Sequence, residues 1–589
     1  MYLPVRTDCG LRWLLSKEVF LSAMNRSGIV ERFVMGGAVL ALLILIVLPL
    51  VSLIIGSLYG EGEISGGYFV QVASSRYYLG PLYNSLVLGA WTGLFSVLVG
   101  VPLAWAVSRS NTPGKKFIQA TVVLSYVSPP FLTAIAFVNL FSPNAGVINV
   151  FFRDVLGLDW LTFNIFTMEG LVFVTVLHTF PFVYLLASSA LTSVDASYEE
   201  AAQILGAGKF RTALSITAPL VAPAVLSGAL IAFVTAIALF GSQAIIGLPG
   251  RIVTLPTRIY SLFTYPPQYG LASALSLVFI IITVAALYIQ RAFLARRSYV
   301  TVGGKSSHPR LVELGPVRWL VLAFAALVFI VALVLPYGSL LAVSFSKTWG
   351  LNFWKGLTFA NYIYVLFEYN ITQRAILNST WLATLTATFA VVLGTLICWL
   401  DVRTRIPGRR LLDYTSLIPL GLPGIVMAVA LIQFWLAMPV ELYGTLTILF
   451  LCYVARYLPL GVRAANSSLM QVDVSLEESA RILGASWAHT MREITVPLIR
   501  PGLFAGWLLV FVPAIHELSA SILLFTSDTI TLSVAIFNLE ESGFTEPVAA
   551  LAIVNVVVIG IALWIASRLN SHLASKGPRT GGAVSGVAN

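Results

Sequence analysis

Few residues in this 589-residue sequence are equipped for chemistry, and the most conspicuous sit where charge is costly. His516 and Glu517 stand in FVPAIHELSASILLF, a stretch apolar enough to lie within a membrane. A carboxylate there needs a partner, so Glu517 marks either a translocation path or gate, or a packing contact. Its counterpart in the first half, Ala238-Leu239 within FVTAIALFGSQAIIG, is apolar. On a continuing helix His516 and Glu517 diverge by about 100°, so both need not face a cavity. Two more pairs recur at equivalent positions, His178 with Arg456 and Asn139 with Gln433. Polar residues at matching depths suit a shared cavity; the alternative is interhelical hydrogen bonding that holds a bundle together.

Reaction chemistry is missing. Gly303-Gly304-Lys305-Ser306 has the ending of a phosphate-binding loop, but Tyr299 stands where the leading Gly belongs and no strand precedes it. It reads as a basic linker. No His-Glu-x-x-His, nucleophile elbow or cysteine metal spacing is present. Cys9, Cys398 and Cys452 are too few and too scattered for a disulfide framework or cluster. The expectation is a non-enzyme holding no metal or cofactor of its own.

The surroundings of those polar residues explain their cost. The chain is 58% hydrophobic and 10% charged, with a mean hydropathy of +0.90, which a soluble core cannot absorb and a lipid bilayer can. Twenty mostly apolar residues make a spanning helix, and by that rule about twelve are expected. They are 35–58, 84–107, 119–141, 169–191, 219–247 and 271–293, then 317–345, 377–400, 411–437, 442–465, 499–524 and 548–569. Pro129-Pro130 and Pro423 interrupt the third and ninth, a break tolerated where backbone faces protein or a water-filled cavity. Pro223 and Pro501 suggest bent starts to the fifth and eleventh. Residues 1–34 lack an apolar run ending in a cleavage site, so no cleaved signal peptide is expected.

The net charge of +10 does not indicate nucleic acid, because the basic residues occupy short loops between spans. With the N-terminus inside, about 27 of the 35 Lys and Arg fall on the inner side, the positive-inside pattern. Both termini are therefore expected in the cytoplasm.

The halves repeat. Asn84-Ser85, Gly100, Pro113-Gly114 and Pro129 match Asn378-Ser379, Gly394, Pro407-Gly408 and Pro423. This makes a parallel repeat of two six-span units with a pseudo-two-fold axis along the membrane normal. The expected organisation is a cytoplasmic segment 1–34, a first transmembrane unit 35–295, a cytoplasmic linker 296–316, a second transmembrane unit 317–570 and a disordered cytoplasmic tail 571–589.

Each unit carries one polar island, VDASYEEAAQILGAGKFRTALSITAP at 194–219 and VDVSLEESARILGASWAHTMREITVP at 472–497. Ser197-x-x-Glu200 and Ser475-x-x-Glu478 read as capping boxes. Gly206 and Gly484 supply the left-handed turn that ends one helix. A second short helix is expected, with Phe210, Leu214 and Ile216, or Trp487, Met491 and Ile494, as its apolar positions. Pro219 or Pro497 then opens the next span. The product is a rigid elbow beneath the membrane.

EAAQILG…ITAP and ESARILG…ITVP resemble the EAA loop of ATP-binding-cassette (ABC) importer permeases. Ser479 replaces the first alanine, and Ala218 and Val496 replace the leucine before proline. The resemblance spans nearly the whole chain. It implies an all-α polytopic membrane protein with the Type I ABC importer fold, about 12 transmembrane helices in two pseudo-two-fold-related six-helix halves. It implies a permease of a bacterial inner membrane, two copies of a cytoplasmic ABC ATPase that uses ATP and Mg, and a periplasmic or extracellular substrate-binding protein. Carried over by position, the ATPase-docking residues are Glu199, Glu200, Ala201, Ala202 and Gly206, with Glu477, Glu478, Ser479, Ala480 and Gly484. The helix after each Gly would be the coupling helix.

Fusion of both halves resembles permeases for ferric iron, 2-aminoethylphosphonate and thiamine. HELSASILLF and LSVAIFNLEESGFTEPVAAL are most similar to the ferric-iron type. A mildly acidic outer face suits a cation or a docking partner. A secondary transporter would share the repeat but not the paired loops.

Overall fold

The computed structural model describes residues 28–60, 63–296 and 311–575. Cys9, the chain before Gly28, linker residues 297–310 with the Gly303-Gly304-Lys305-Ser306 run, and the tail beyond Ser575 lie outside the described residues. β structure among the described residues amounts to a hairpin pairing Tyr59–Gly60 with Glu63–Ile64 and two isolated bridges.

The first half runs α1 (Val30–Leu58), α2 (Arg76–Arg109), α3 (Lys115–Val127), α4 (Pro130–Phe141), α5 (Met168–Ser193), α6 (Ala196–Ile204), α7 (Ala213–Ala238), α8 (Leu255–Ser261) and α9 (Tyr269–Arg296). The second repeats it as α10 (Val317–Phe345), α11 (Ile371–Arg403), α12 (Arg409–Gly421), α13 (Gly424–Leu436), α14 (Leu446–Leu469), α15 (Val474–Ile482), α16 (Trp487–Ile515), α17 (Leu532–Glu541) and α18 (Thr545–Ser575).

Ten of the described helices are long and apolar enough to cross a membrane, and the total reaches twelve only if each of two bent pairs counts as one crossing. The pairs are α3–α4, bent by 97°, and α12–α13, bent by 114°. Proline disfavours helical geometry in the residue before it. Ser128 and Leu422 are accordingly extended, with ψ of 125° and 123°. The third and ninth spans are thus sharply broken, not merely interrupted.

Other prolines are absorbed without a break. Four π turns, at Leu43–Val47, Ala213–Thr217, Ile330–Val334 and Met491–Thr495, each end two residues before a proline. A wider turn relieves the clash between the ring and the preceding carbonyl. Pro219 and Pro497 therefore lie inside helices that continue from Lys209 and Trp487. The expected second short helix of each island is instead the first turns of α7 or α16. Pro223 and Pro501 do not interrupt those helices either.

Within each half three helices form the close bundle, α2 with α5 and α7, and α11 with α14 and α16. The first helix of each half crosses over. α1 lies along α13, while α10 packs on α2, α3 and α4, with Phe329 against Phe117 at 5.0 Å and Ser339 Oγ donating to the Ala136 carbonyl at 3.4 Å. Opposite the polar islands, α8 and α17 tuck inward. Asn84 donates to the Val253 carbonyl at 2.9 Å and Ser85 Oγ accepts from the Leu255 amide at 2.8 Å. Asn378 and Ser379 do the same for Ile530 and Leu532, at 2.9 and 2.8 Å. The repeated Asn-Ser dipeptide positions these short helices, whose Tyr260 and Phe537 meet between the halves at 6.5 Å.

Candidate functional site

A cavity of about 230 Å³ lies between the halves, and His178, Arg456, His516 and Glu517 all line it. Mid-span positions on α5 and α14 supply His178 and Arg456. His516 and Glu517 come from the turn that follows α16, which ends at Ile515. Their expected place within a helix is corrected by this end, and the first half stops equivalently at Ala238. Carbonyls left open there find side chains. Gln243 Nε2 donates to Ala236 O at 2.7 Å, and Tyr457 donates to Pro513 O at 3.1 Å. Leaving the helix costs little once these are satisfied.

Glu517 has the partners a buried carboxylate requires. Arg456 Nε lies 3.3 Å from Oε2, which also accepts from the Tyr457 hydroxyl. Oε1 accepts from the Ala520 amide at 2.9 Å, capping the turn Ser521–Leu524. Gly424, just past the α12–α13 break, makes room for the arginine. A Cβ there would stand 1.5 Å from Arg456 Nη1. On the opposite wall His178 stacks on Tyr126 with ring centroids 6.4 Å apart. Beyond the cavity, away from the polar islands, Phe240 packs on Tyr260 at 5.1 Å and on Phe537 at 5.6 Å. Among the described residues no group of three or more His, Cys, Asp or Glu could hold a metal ion.

Asn139 and Gln433 do not line this cavity. Gln433 donates to Ser273 Oγ at 2.7 Å and to Tyr269 O at 3.2 Å, tying α13 to α9. The carbonyl of Asn139 accepts from Trp349 Nε1 at 3.0 Å. The Gln433 side chain thus bridges two helices, whereas Asn139 Nδ2 is buried without a partner among the described residues.

The polar islands form short free-standing helices, α6 and α15, ending at Gly206 and Gly484 with φ of +86° and +87°. Their caps are not Ser197 and Ser475. Asp195 Oδ1 accepts from the Ser197 amide and Asp473 Oδ1 from the Ser475 amide, both at 2.9 Å. A carboxylate one residue before the helix reaches the second amide, so the aspartates displace the expected capping boxes. Glu200, Ala201, Glu478 and Ser479 are exposed, whereas Ala480 is buried. Glu199 and Glu477 turn inward. Glu199 accepts from Thr217 at 2.6 Å and pairs with Arg109 at 3.7 Å; Glu477 accepts from Thr495 at 3.1 Å and pairs with Arg403 at 3.3 Å. The tips are apolar and open, with Ile204 and Leu205 86% and 87% exposed, and Ile482 and Leu483 85% and 87%.

Sequence reasoning missed Arg109 and Arg403. Both arginines stand in the last turn of equivalent spans, at the same offset that aligned Gly100 with Gly394. Thr217 and Thr495 share the offset of the islands themselves.

Residues 96–299 and 388–574 match the family described as binding-protein-dependent transport system inner membrane component. The chain belongs to this family. It is a multi-pass inner-membrane permease of an ABC importer, and membership implies an ATPase and a substrate-binding protein as partners. The permease is 28% identical over 91% of its length to the ferric transport system permease protein FbpB of Actinobacillus pleuropneumoniae, covering 78% of that protein. It is 29% identical over 83% of its length to the putative ferric transport system permease protein FbpB 1 of Haemophilus influenzae, covering 77% of it. The molybdenum transport system permease protein ModB of Escherichia coli is 30% identical, matching 37% of this permease and 94% of its own length. That proportion is what one half of a fused chain should give.

Proposed function

We propose that this permease imports ferric iron by alternating access, driven by two copies of a cytoplasmic ATPase docked on α6 and α15. The observation that carries the coupling is the pair of twin elbows at one end of the spans, each with an open apolar tip and an inward Arg–Glu lock. A dimeric ATPase closing on ATP offers two like clefts, and two like elbows answer them. ATP and Mg belong to that ATPase, and the permease holds no cofactor. The docking surface is Glu200, Ala201, Ala202 and Gly206 with Glu478, Ser479 and Gly484, together with the Ile-Leu tips, and the equivalent Ala480 is buried behind it. Both termini then lie in the cytoplasm, and the substrate-binding protein delivers cargo on the face where α8 and α17 tuck inward. Iron rests on the two ferric relatives, which align along most of this chain.

The test is co-purification and uptake. Gly206→Val with Gly484→Val strains both positive-φ turns by ~1–2 kcal/mol each and should release the ATPase. ATP-dependent ⁵⁵Fe uptake into proteoliposomes should fall with it. Uptake that runs on a proton gradient without any ATPase would overturn the importer reading. A cognate binding protein that holds thiamine or 2-aminoethylphosphonate would overturn iron.

A further inference from the structure

The wall of the central cavity carries a guanidinium, two imidazoles and several hydroxyls around a single carboxylate. Its carboxylate, Glu517, is engaged at both oxygens by Arg456, Tyr457 and the Ala520 amide. Arg456 lines the cavity with 21% of its side chain exposed, beside His178, His516 and Ser242. Basic and hydroxyl side chains around one small cavity favour a polar occupant.

The chemistry of that occupant follows from the wall. A bare metal cation would need anionic ligands, yet the one carboxylate is held by a guanidinium that itself repels cations. Imidazoles alone number two, and a hard trivalent ion prefers oxygen. An oxyanion meets the opposite situation. It accepts from a guanidinium N–H, from imidazole N–H and from hydroxyl, and a charge-assisted bond of this kind is about twice as strong as a neutral one.

We infer that the cavity formed by His178, Ser242, Arg456 and His516 is an oxyanion site, taking phosphate, phosphonate or carboxylate, free or as the ligand sheath of a metal ion. This rests on the reading of the chain as an importer whose cargo passes between its halves. Glu517 is then the counter-charge that orients Arg456 and keeps the anion weakly held, so that it can leave.

Equilibrium dialysis of ³²P-phosphate against the purified full-length permease tests this without the ATPase. Saturable binding is expected at about one per chain. Arg456→Gln should weaken it by about tenfold or more, the loss of a charged donor. Glu517→Gln is isosteric and should tighten it several-fold, because the competing charge is gone. A cation site predicts the reverse for Glu517→Gln, and weaker phosphate binding there overturns the proposal. So does unchanged binding in Arg456→Gln, or no saturable binding in the parent protein. ⁵⁵Fe(III) retained only with phosphate assigns the anion to a metal's sheath; phosphate bound equally without iron assigns it as free anion. ATPase co-purification of the same variants reports the importer reading separately. Lost phosphate binding with the ATPase retained removes the site alone.

Discussion

Arg403 in the last turn of α11 lies 3.3 Å from Glu477 on α15, with both side chains only 4% exposed. The same guanidinium donates to the carbonyls of Leu469 at 3.2 Å and Val472 at 2.6 Å, which close α14. Thr495, in the π turn within α16, donates to Glu477 as well. One buried ion pair thus joins four helices at the place where the elbow meets the bundle. Arg109 and Glu199 repeat the arrangement, with Leu191 and Val194 as the carbonyl partners at 2.9 and 2.6 Å. A push on either elbow reaches three spans through a contact too buried for water to relax.

Arg403→Ala should therefore loosen the elbow. Removing one partner of a buried pair costs ~3–5 kcal/mol, because the other charge is left uncompensated. Hydrogen exchange across 472–486 should accelerate, and ATPase activity should no longer respond to cargo. Arg403→Met with Glu477→Leu removes both charges and should recover most of the protection. A double variant as labile as the single one would refute the lock.

Asp473 gives the elbow a pH dependence. The Ser475 amide holds its carboxyl below the ordinary carboxylate value of 3.8. A depressed folded pKa contributes stability that is complete above the unfolded value and lost as pH falls through the folded one. Fraying of α15 should thus set in only below about pH 4. Asp473→Asn keeps an acceptor oxygen and should abolish that pH dependence while leaving the helix formed at neutral pH. Exchange rates at the Ser475 and Leu476 amides, followed from pH 6 to pH 3, read this directly.

Much of the architecture was legible because two signals are strong in membrane chains. Hydropathy located the spans, and the repeat offsets aligned the halves to the residue. Helix ends were less legible. The stop at Ile515 depends on Tyr457 taking the Pro513 carbonyl, a contact across 56 positions that no local pattern announces. The cap failed for a different reason, since Asp195 and Ser197 are both good cap residues and only the entry angle of the chain chooses between them. His178 and Arg456 line one cavity, whereas Asn139 and Gln433 do not. Equal offsets report equivalent depth but not which face of a helix points inward.

Gly424→Ala should disable the cavity without touching the elbows. A β-carbon placed 1.5 Å from Arg456 Nη1 must push the guanidinium away or unbend α12–α13. Either displaces it from Glu517, leaving a buried carboxylate with fewer donors. Transport should fall by about tenfold or more, while the ATPase still co-purifies. Glu517→Ala should give the same separation of effects. Unchanged uptake in both variants would reduce the pair to packing.

The aromatic contact above the cavity makes the last prediction. Phe240 is fully buried, and it meets Tyr260 from its own half and Phe537 from the other. Tyr260 and Phe537 sit on α8 and α17, which the Asn-Ser pairs of α2 and α11 hold in place. If these rings close one end of the path, opening it must separate them, at ~0.5–1.5 kcal/mol per aromatic pair beyond area burial. Phe537→Ala removes one ring from two of the three contacts and leaves both short helices anchored through Leu532 and Leu255. Proteoliposomes with this variant should leak small solutes without ATP, and their ATPase activity should rise in the absence of cargo. Phe450→Ala removes an aromatic that packs on Phe389 away from this contact and should do neither. Tight vesicles with Phe537→Ala would mean that closure lies elsewhere along the path.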